Sequence, residues 1–112
     1  MTIKEIQLKA AEILEASENS WCQGTYRREL LGGGHAYCII GACREAAGYW
    51  AAYDAIHNAA TKDTLSVTYH AANHAATQAI RGINSAFVAA MWNDAPGRTR
   101  EEVIAALRGN TE

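Results

Sequence analysis

Alanine is the feature that most constrains this fold: it accounts for 23 of the 112 residues, while proline occurs once, as Pro96. Alanine has the highest intrinsic helix propensity and proline the lowest. The small alanine side chain also lets neighbouring helices approach each other closely. The sequence therefore predicts a mostly α fold, with a single helical domain over residues 1–112 built as a compact bundle of five or six helices.

Capping residues and apolar spacing place the predicted helices. Thr2 and Glu5 have the spacing of a capping box at the start of a first helix over 3–17. Thr99 and Glu102 have the same spacing at the start of the last helix. The helices predicted between these two cover residues 37–47, 49–61, 64–82 and 84–92.

The same spacing predicts which helix faces are buried. Lys62 and Asp63 mark the expected break between two of the middle helices. In the helix over 84–92, Phe87, Val88 and Met91 are expected to pack inward. The buried stripe of the helix over 64–82 and the bulky core side chains are predicted to be Leu65, Tyr69, Ala72, Ala76 and Ile80, with Trp21, Trp50 and Trp92.

The segment after the first helix does not follow helical spacing. Trp21, Thr25 and Tyr26 favour strands, and three consecutive glycines over 32–34 favour a turn. The sequence predicts a short β-hairpin, or an ordered loop, within 21–37.

Charge, hydropathy and cysteine content exclude several protein classes. A net charge of −2 and a pI near 6.1 argue against a nucleic-acid-binding surface. No apolar run approaches the roughly 18 residues of a membrane span, and residues 2–6 lack the apolar core of a signal peptide. The odd number of cysteines, Cys22, Cys38 and Cys43, predicts a cytoplasmic protein with free thiols.

Three segments together resemble a known family. They are Trp21-Cys22-Gln23-Gly24, the segment 37–42 and the segment 92–99. The chain resembles domain-of-unknown-function family 6197, a group of small bacterial and phage proteins, over 3–48 and 84–108. Residues 49–82 are expected to be particular to this sequence. The resemblance implies a compact intracellular accessory domain with no assigned activity, frequent in phage-related genomes.

The segment 92–99 invites an active-site hypothesis, but turn chemistry accounts better for its residue types. Asp94 is expected to accept hydrogen bonds from backbone amides and from Arg98, and Trp92 is expected to cover the joint between two helices. The predicted structural turn consists of Trp92, Asn93, Asp94, Arg98 and Thr99.

Aromatic and arginine side chains near residue 24 predict a protein-binding surface, because these residue types are enriched in interface hot spots. The predicted partner-binding residues are Trp21, Gln23, Tyr26 and Arg27. The alternative for Trp21 is that it fills the core against the first helix.

His70 and His74 are spaced to share a metal ion on one helix face. His57 and Asp54 could complete four ligands from the preceding helix. The segment lacks the glutamate that hydrolytic zinc helices use as a base, so a solvated helix face is favoured and no cofactor is expected.

Cys38 near a helix start, with His35 close in sequence, suggests a thiol nucleophile, since a helix dipole lowers a thiol pKa. No third catalytic partner is recognisable. The favoured interpretation of Cys38 and Cys43 is that they are small buried hydrophobic residues.

These observations favour a non-enzymatic protein-interaction module, such as a phage-encoded modulator or inhibitor of a host protein, including one of a defence system. The alternative is a small metal-dependent or cysteine-based enzyme. Homo-oligomers formed through the helix over 64–82 are a third expectation.

Overall fold

Helices form most of the chain, as its alanine content predicts. The structure is a computed structural model that describes residues 1–55 and 59–109, with only the backbone described at 59–61. Its elements in chain order are α1 (Ile3–Glu15), β1 (Arg27–Glu29), β2 (His35–Tyr37), α2 (Ile39–Ala47), α3 (Tyr49–Asp54), α4 (Ala59–Ala79), α5 (Ala86–Asn93) and α6 (Arg100–Leu107). The predicted mostly α fold, with five or six helices and a short hairpin within 21–37, is confirmed.

Side-chain caps start the first and last helices where the sequence predicted them. Thr2 Oγ1 accepts a hydrogen bond from the Glu5 amide at 3.1 Å, and the Thr2 amide donates to the Glu5 carboxylate at 2.7 Å. Thr99 and Glu102 form the same reciprocal pair at 3.2 and 2.9 Å. These hydrogen bonds lower the pKa of both glutamates, so each carboxylate is held in its charged form at a helix N-terminus.

The hairpin is short and is tied to the chain that precedes it. β1 and β2 are antiparallel, with Arg27 opposite Tyr37. All three glycines over 32–34 have positive φ, which other residues rarely adopt, so the turn depends on them. The amide of Tyr37 donates to Ser20, and its carbonyl accepts from Cys22. The hairpin therefore brings residues 20–22 against the start of α2.

The core is built around α2, which packs against both α1 and α4. Its buried aliphatic side chains include Ile6, Leu14, Ile39, Ile40, Ile80, Val103 and Leu107. Eleven alanines are also buried in the described part of the chain, at positions 10, 11, 36, 42, 46, 72, 75, 76, 79, 89 and 106. The Cα radius of gyration is 13.2 Å, close to the roughly 13 Å expected for a single domain of this length.

Several predicted helix boundaries are wrong. α4 continues through Lys62 and Asp63, which are both exposed, because neither residue type costs more than about 0.7 kcal/mol in a helix. The predicted helix over 49–61 instead ends at Asp54. α1 ends two residues earlier than predicted, where the Ser20 hydroxyl donates to the carbonyl of Leu14.

The predicted buried face of α5 is also wrong. Phe87 is 75% exposed and Met91 is 58% exposed, whereas Ala89 and Asn93 are the buried residues of α5. The hydrogen bonds of Asn93, described below, require the rotation of α5 that turns Phe87 and Met91 outward. On α4, Tyr69 is 41% exposed, whereas Ala72, Ala76 and Ile80 of the predicted stripe are buried.

Alanines replace part of the predicted stripe of α4. Ala75 and Ala79 are buried together with Ala72 and Ala76. The side chains of these alanines face the protein core. They are therefore not on the exposed face of α4, where a second copy of the protein could contact them. No helix among residues 1–55 and 59–109 combines the length and hydropathy needed to cross a bilayer.

Candidate functional site

A buried asparagine joins three distant segments. The Asn93 side-chain oxygen accepts hydrogen bonds from the indole nitrogen of Trp21 at 2.8 Å and from the amide of Ile39 at 2.9 Å. Its side-chain nitrogen donates to the carbonyl of Cys22 and to the carboxylate of Asp94. All four hydrogen-bonding positions of this buried amide are thus satisfied. Leaving any of them unpaired in a buried site would destabilise the fold.

The neighbouring residues extend this network. The Gln23 amide nitrogen donates to the carbonyls of Asn93 and Ala95 at 3.0 and 3.1 Å. The amide of Gly24 donates to the Asp94 carboxylate at 3.0 Å. We call this set the Asn93 junction, and its members are Trp21, Cys22, Gln23, Gly24, Ile39, Asn93 and Asp94.

Arg98 lies next to the junction, but it contacts Trp92 and Glu102 instead of Asp94. Its Nε donates to the carbonyl of Trp92 at 2.9 Å, and its guanidinium lies 4.0 Å from the centroid of the Trp92 ring. It also forms an ion pair with Glu102. The expected hydrogen bond from Arg98 to Asp94 is therefore wrong, because the carboxylate of Asp94 faces Gly24 and Asn93 instead. Thr99 caps α6, as described above.

A second group of side chains combines two arginines with aromatic rings. Four of the five tyrosines and one tryptophan belong to it. We call it the arginine–tyrosine cluster, and its members are Tyr26, Arg27, Arg44, Tyr49, Trp50, Tyr53, Asp54 and Tyr69.

Arg27 lies on the solvent side of this cluster. Its guanidinium is 4.3 Å from the Trp50 ring centroid, and it donates two hydrogen bonds to the Asp54 carboxylate, both at 3.0 Å. This pair lowers the pKa of Asp54 and raises that of Arg27. Arg27 is thus both stacked and neutralised.

Arg44 lies beneath the rings and is only 6% exposed. Its guanidinium carbon is 4.5 Å from the ring centroid of Tyr26, 4.8 Å from that of Tyr49 and 4.9 Å from that of Tyr69. Such cation–π contacts stabilise a positive charge that has lost its water. The outer rings remain accessible, with Tyr26, Tyr53 and Tyr69 between 41% and 46% exposed.

Gly41 allows the two groups to approach each other. A Cβ atom at this position would lie 1.7 Å from the backbone oxygen of Tyr26. The carbonyl of Gly41 accepts a hydrogen bond from the indole nitrogen of Trp50 at 2.9 Å. A cavity of about 300 Å³ opens beside this contact, lined by Gly24, Thr25, Tyr26, Cys38, Ala90 and Asp94.

The three segments that carry the family resemblance meet at the Asn93 junction. A comparison with protein families supports the same resemblance. The model of a family of unknown function, DUF6197, matches residues 1–110. The chain belongs to this family. The match runs through 49–82, so the narrower coverage that we expected is wrong. No curated protein and no solved structure matches the chain.

The full-length match has a physical reason in this DUF6197 chain. α4 supplies Ala72 and Ala76 to the same core that Ile39 and Ile40 of α2 occupy. The end segments therefore have no complete core without the middle of the chain.

The buried thiols of this DUF6197 chain are not activated. Cys38 is the N-cap of α2, and its sulfur accepts a hydrogen bond from the Gly41 amide at 3.4 Å. Burial nevertheless raises the pKa of Cys38 to about 11, and it raises the pKa of Cys22 and Cys43 as well. The expected lowering of the Cys38 pKa by the helix dipole is therefore wrong, because the loss of water outweighs the dipole. His35 lies in β2, opposite Glu29.

The residues of the metal hypothesis are not brought together in the described part of the chain. His70 and His74 are exposed on α4, and His74 contacts Gln78. Asp54 is paired with Arg27. His57 lies outside the described residues. Among residues 1–55 and 59–109, no three His, Cys, Asp or Glu residues are placed to hold a metal ion.

The four predicted partner-binding residues divide between the two groups. Trp21 and Gln23 use their polar atoms in the Asn93 junction. Tyr26 and Arg27 belong to the arginine–tyrosine cluster. Trp21 is also half-buried and packs against the hydrophobic core.

Sequence reasoning missed the centre of the cluster, Arg44. Arginine at the C-terminal end of an apolar helix is ordinarily a favourable cap and gives no sign of burial. The available signal was the tyrosine spacing. Tyr49 and Tyr53 are four residues apart, so they lie on one helix face beside Trp50.

Proposed function

We propose that this chain is a non-enzymatic protein-interaction module and that its partner binds at the arginine–tyrosine cluster. The observation that carries this proposal is the exposure of Tyr26, Tyr53 and Tyr69 around two stacked arginines. Tyrosine, tryptophan and arginine are the residue types most enriched in interface hot spots. The rings are held by one another and by Arg44, so they lose little conformational freedom when a partner binds.

The proposed setting is the cytoplasm of a bacterial host, where a phage-encoded chain modulates or inhibits a host protein. The family resemblance supports this setting through its association with phage-related genomes. Cys22, Cys38 and Cys43 are free thiols, which suits a reducing compartment. A defence protein is one candidate partner.

Affinity capture from a bacterial host lysate tests the proposal. The immobilised wild-type chain is compared with a triple variant in which Tyr26, Tyr53 and Tyr69 are each changed to Ala. The matched control carries Phe87→Ala and Met91→Ala, which remove two exposed apolar side chains from α5, outside the cluster. Circular dichroism establishes that all three chains are folded.

We expect one host protein to be enriched by the wild type and the control, and its capture by the tyrosine variant to fall about tenfold or more. The purified host protein should then bind the wild-type chain directly. Equal capture by all three chains would place the interaction elsewhere. Stoichiometric zinc or iron in the purified chain would favour the metal-dependent enzyme instead.

A further inference from the structure

The two arginines of the cluster contact the same indole but differ in their counter-charge. Arg27 lies over Trp50 and forms a two-pronged ion pair with Asp54. Arg44 lies 5.8 Å from the same ring centroid. Among the described residues, no carboxylate lies within 4.0 Å of the Arg44 guanidinium.

Arg44 is also poorly hydrogen-bonded for a buried side chain. Its one hydrogen bond to a described side chain runs from Nη2 to the Asn73 oxygen and is long, at 3.5 Å. Its Nε is buried and has no hydrogen-bond partner. Aromatic rings stabilise the charge from above and below the guanidinium plane, but they accept nothing from the N–H groups that point along the plane.

A buried arginine with an unpaired edge is a site for an anion, because burial strengthens its attraction for a counter-charge and leaves its donors free. We propose that Arg44 binds the carboxylate of an acidic side chain presented by the partner protein. This inference rests on the proposed function, since it gives the partner a definite chemical group at the same surface.

The arrangement of Arg27 favours a carboxylate as the ligand. Its planar fork already binds one two-oxygen acid, Asp54, while stacked on Trp50. Arg27 uses Nη1 and Nη2 for this pairing. At Arg44, Nε and Nη2 form the side-on pair of parallel donors, which also matches the spacing of carboxylate oxygens. A partner aspartate or glutamate would therefore give Arg44 a carboxylate with two hydrogen bonds, as Asp54 does for Arg27.

Access to Arg44 passes between Tyr26 and Tyr69. Both rings lie within 5 Å of the guanidinium carbon, and both are more than 40% exposed. A rotation of either ring toward solvent uncovers the edge of the guanidinium while Tyr49 stays in contact with it. The tyrosines thus cover the site when it is empty and contact the partner when it is filled.

The side-chain Nε–H signals of the ¹⁵N-labelled chain provide a direct test. The probe is N-acetylglutamate N-methylamide, which carries a single carboxylate, with the glutamine analogue as the neutral control. We expect a saturable shift of the Arg44 Nε–H signal with the glutamate probe and no shift of the Arg27 signal, because Asp54 occupies Arg27. Inorganic phosphate should give a weaker response.

Three variants assign the response to one side chain. Arg44→Met removes the donors and keeps the length, so the shifts of the surrounding backbone amides should disappear. Arg27→Met should retain them. Arg44→Lys keeps the charge but lacks the two parallel guanidinium donors, so it should weaken the response. This variant tests the assignment if Arg44→Met does not fold.

The outcomes separate this inference from the proposed function. Loss of lysate capture by Arg44→Met, about tenfold or more, supports it. Undiminished capture by that variant, or no saturable response to the glutamate probe, overturns it and leaves the interaction module intact. A stronger response to phosphate overturns the assignment to an acidic side chain. If the wild type captures nothing, the proposed function fails whatever the titration shows.

Discussion

The indole nitrogen of Trp21 donates to the side-chain oxygen of Asn93 at 2.8 Å, across 72 positions of the sequence. The same oxygen accepts from the amide of Ile39, which lies in the first turn of α2. One buried amide therefore positions the segment after α1, the start of α2 and the end of α5. The residues that carry the family resemblance meet at a structural joint.

Loss of the Asn93 side chain should destabilise the fold strongly. Asn93→Ala leaves the Trp21 indole N–H, the Ile39 amide and the Cys22 carbonyl without this partner in a buried site. Since each orphaned group costs about 1–3 kcal/mol, the free energy of unfolding should fall by about 3 kcal/mol or more. Urea denaturation followed by tryptophan fluorescence measures the change.

Asn84 provides the matched control for this experiment, since it is exposed and lies just before α5. Asn84→Ala should change the free energy of unfolding by no more than about 0.5 kcal/mol. Similar losses in the two variants would show that Asn93 is not a structural joint.

Gly41→Ala should destabilise the protein, although helix propensity alone predicts the opposite. In an open helix interior this change would stabilise by about 1 kcal/mol. Here the added Cβ would collide with the backbone oxygen of Tyr26, so we expect a loss of about 2 kcal/mol. Thermal denaturation gives the sign directly. A raised Tm would mean that the backbone of Tyr26 and α2 are not in contact at this point.

The ion pair between Arg27 and Asp54 should make a pH-dependent contribution to stability. The paired arginine lowers the folded-state pKa of Asp54 below the ordinary value of 3.8. Stability from this carboxylate is therefore present above the unfolded-state pKa and is lost as the pH falls through the lowered folded-state pKa. Asp54→Asn should lower Tm at about pH 7 and have little effect at about pH 2.

Asp63→Asn is the control for this comparison, because Asp63 is exposed on α4. Its Tm should follow that of the wild type throughout the pH range. A constant difference between Asp54→Asn and the wild type at every pH would contradict a contribution from the charge of Asp54.

The three cysteines should be unreactive in the folded protein. All are buried, and burial raises the pKa of each thiol. Because the thiolate is the reactive form, modification by a disulfide reagent near pH 8 should be about 100-fold slower than in guanidinium chloride, where all three react. One thiol that reacts rapidly in the native chain would instead support the cysteine-based enzyme.

Local chemistry made much of the fold predictable. Thr2 with Glu5 and Thr99 with Glu102 mark helix starts within four residues of sequence, and both capping boxes form as predicted. The glycines over 32–34 likewise encode their own turn. The break at Lys62 and Asp63 failed because exposed polar residues do not by themselves end a helix.

The candidate site was less predictable, because its members come from separate elements. Tyr26 and Arg27 were identified from residue type alone. Arg44 and Tyr69 were not, since neither residue shows in the sequence which neighbours it will contact. Phe87 was assigned to the core by its hydropathy, and it is exposed because hydrogen bonding by Asn93 decides how α5 is rotated.

The sequence by itself determined that this chain is helical, where most of its helices begin, and that its helices can approach closely through alanine. These properties follow from propensities and hydrogen bonds between residues a few positions apart. Only the tertiary structure decided that Asn93 faces inward and that Arg44 lies beneath tyrosines. Those outcomes depend on how each helix is rotated against the others, which contacts between distant residues determine together.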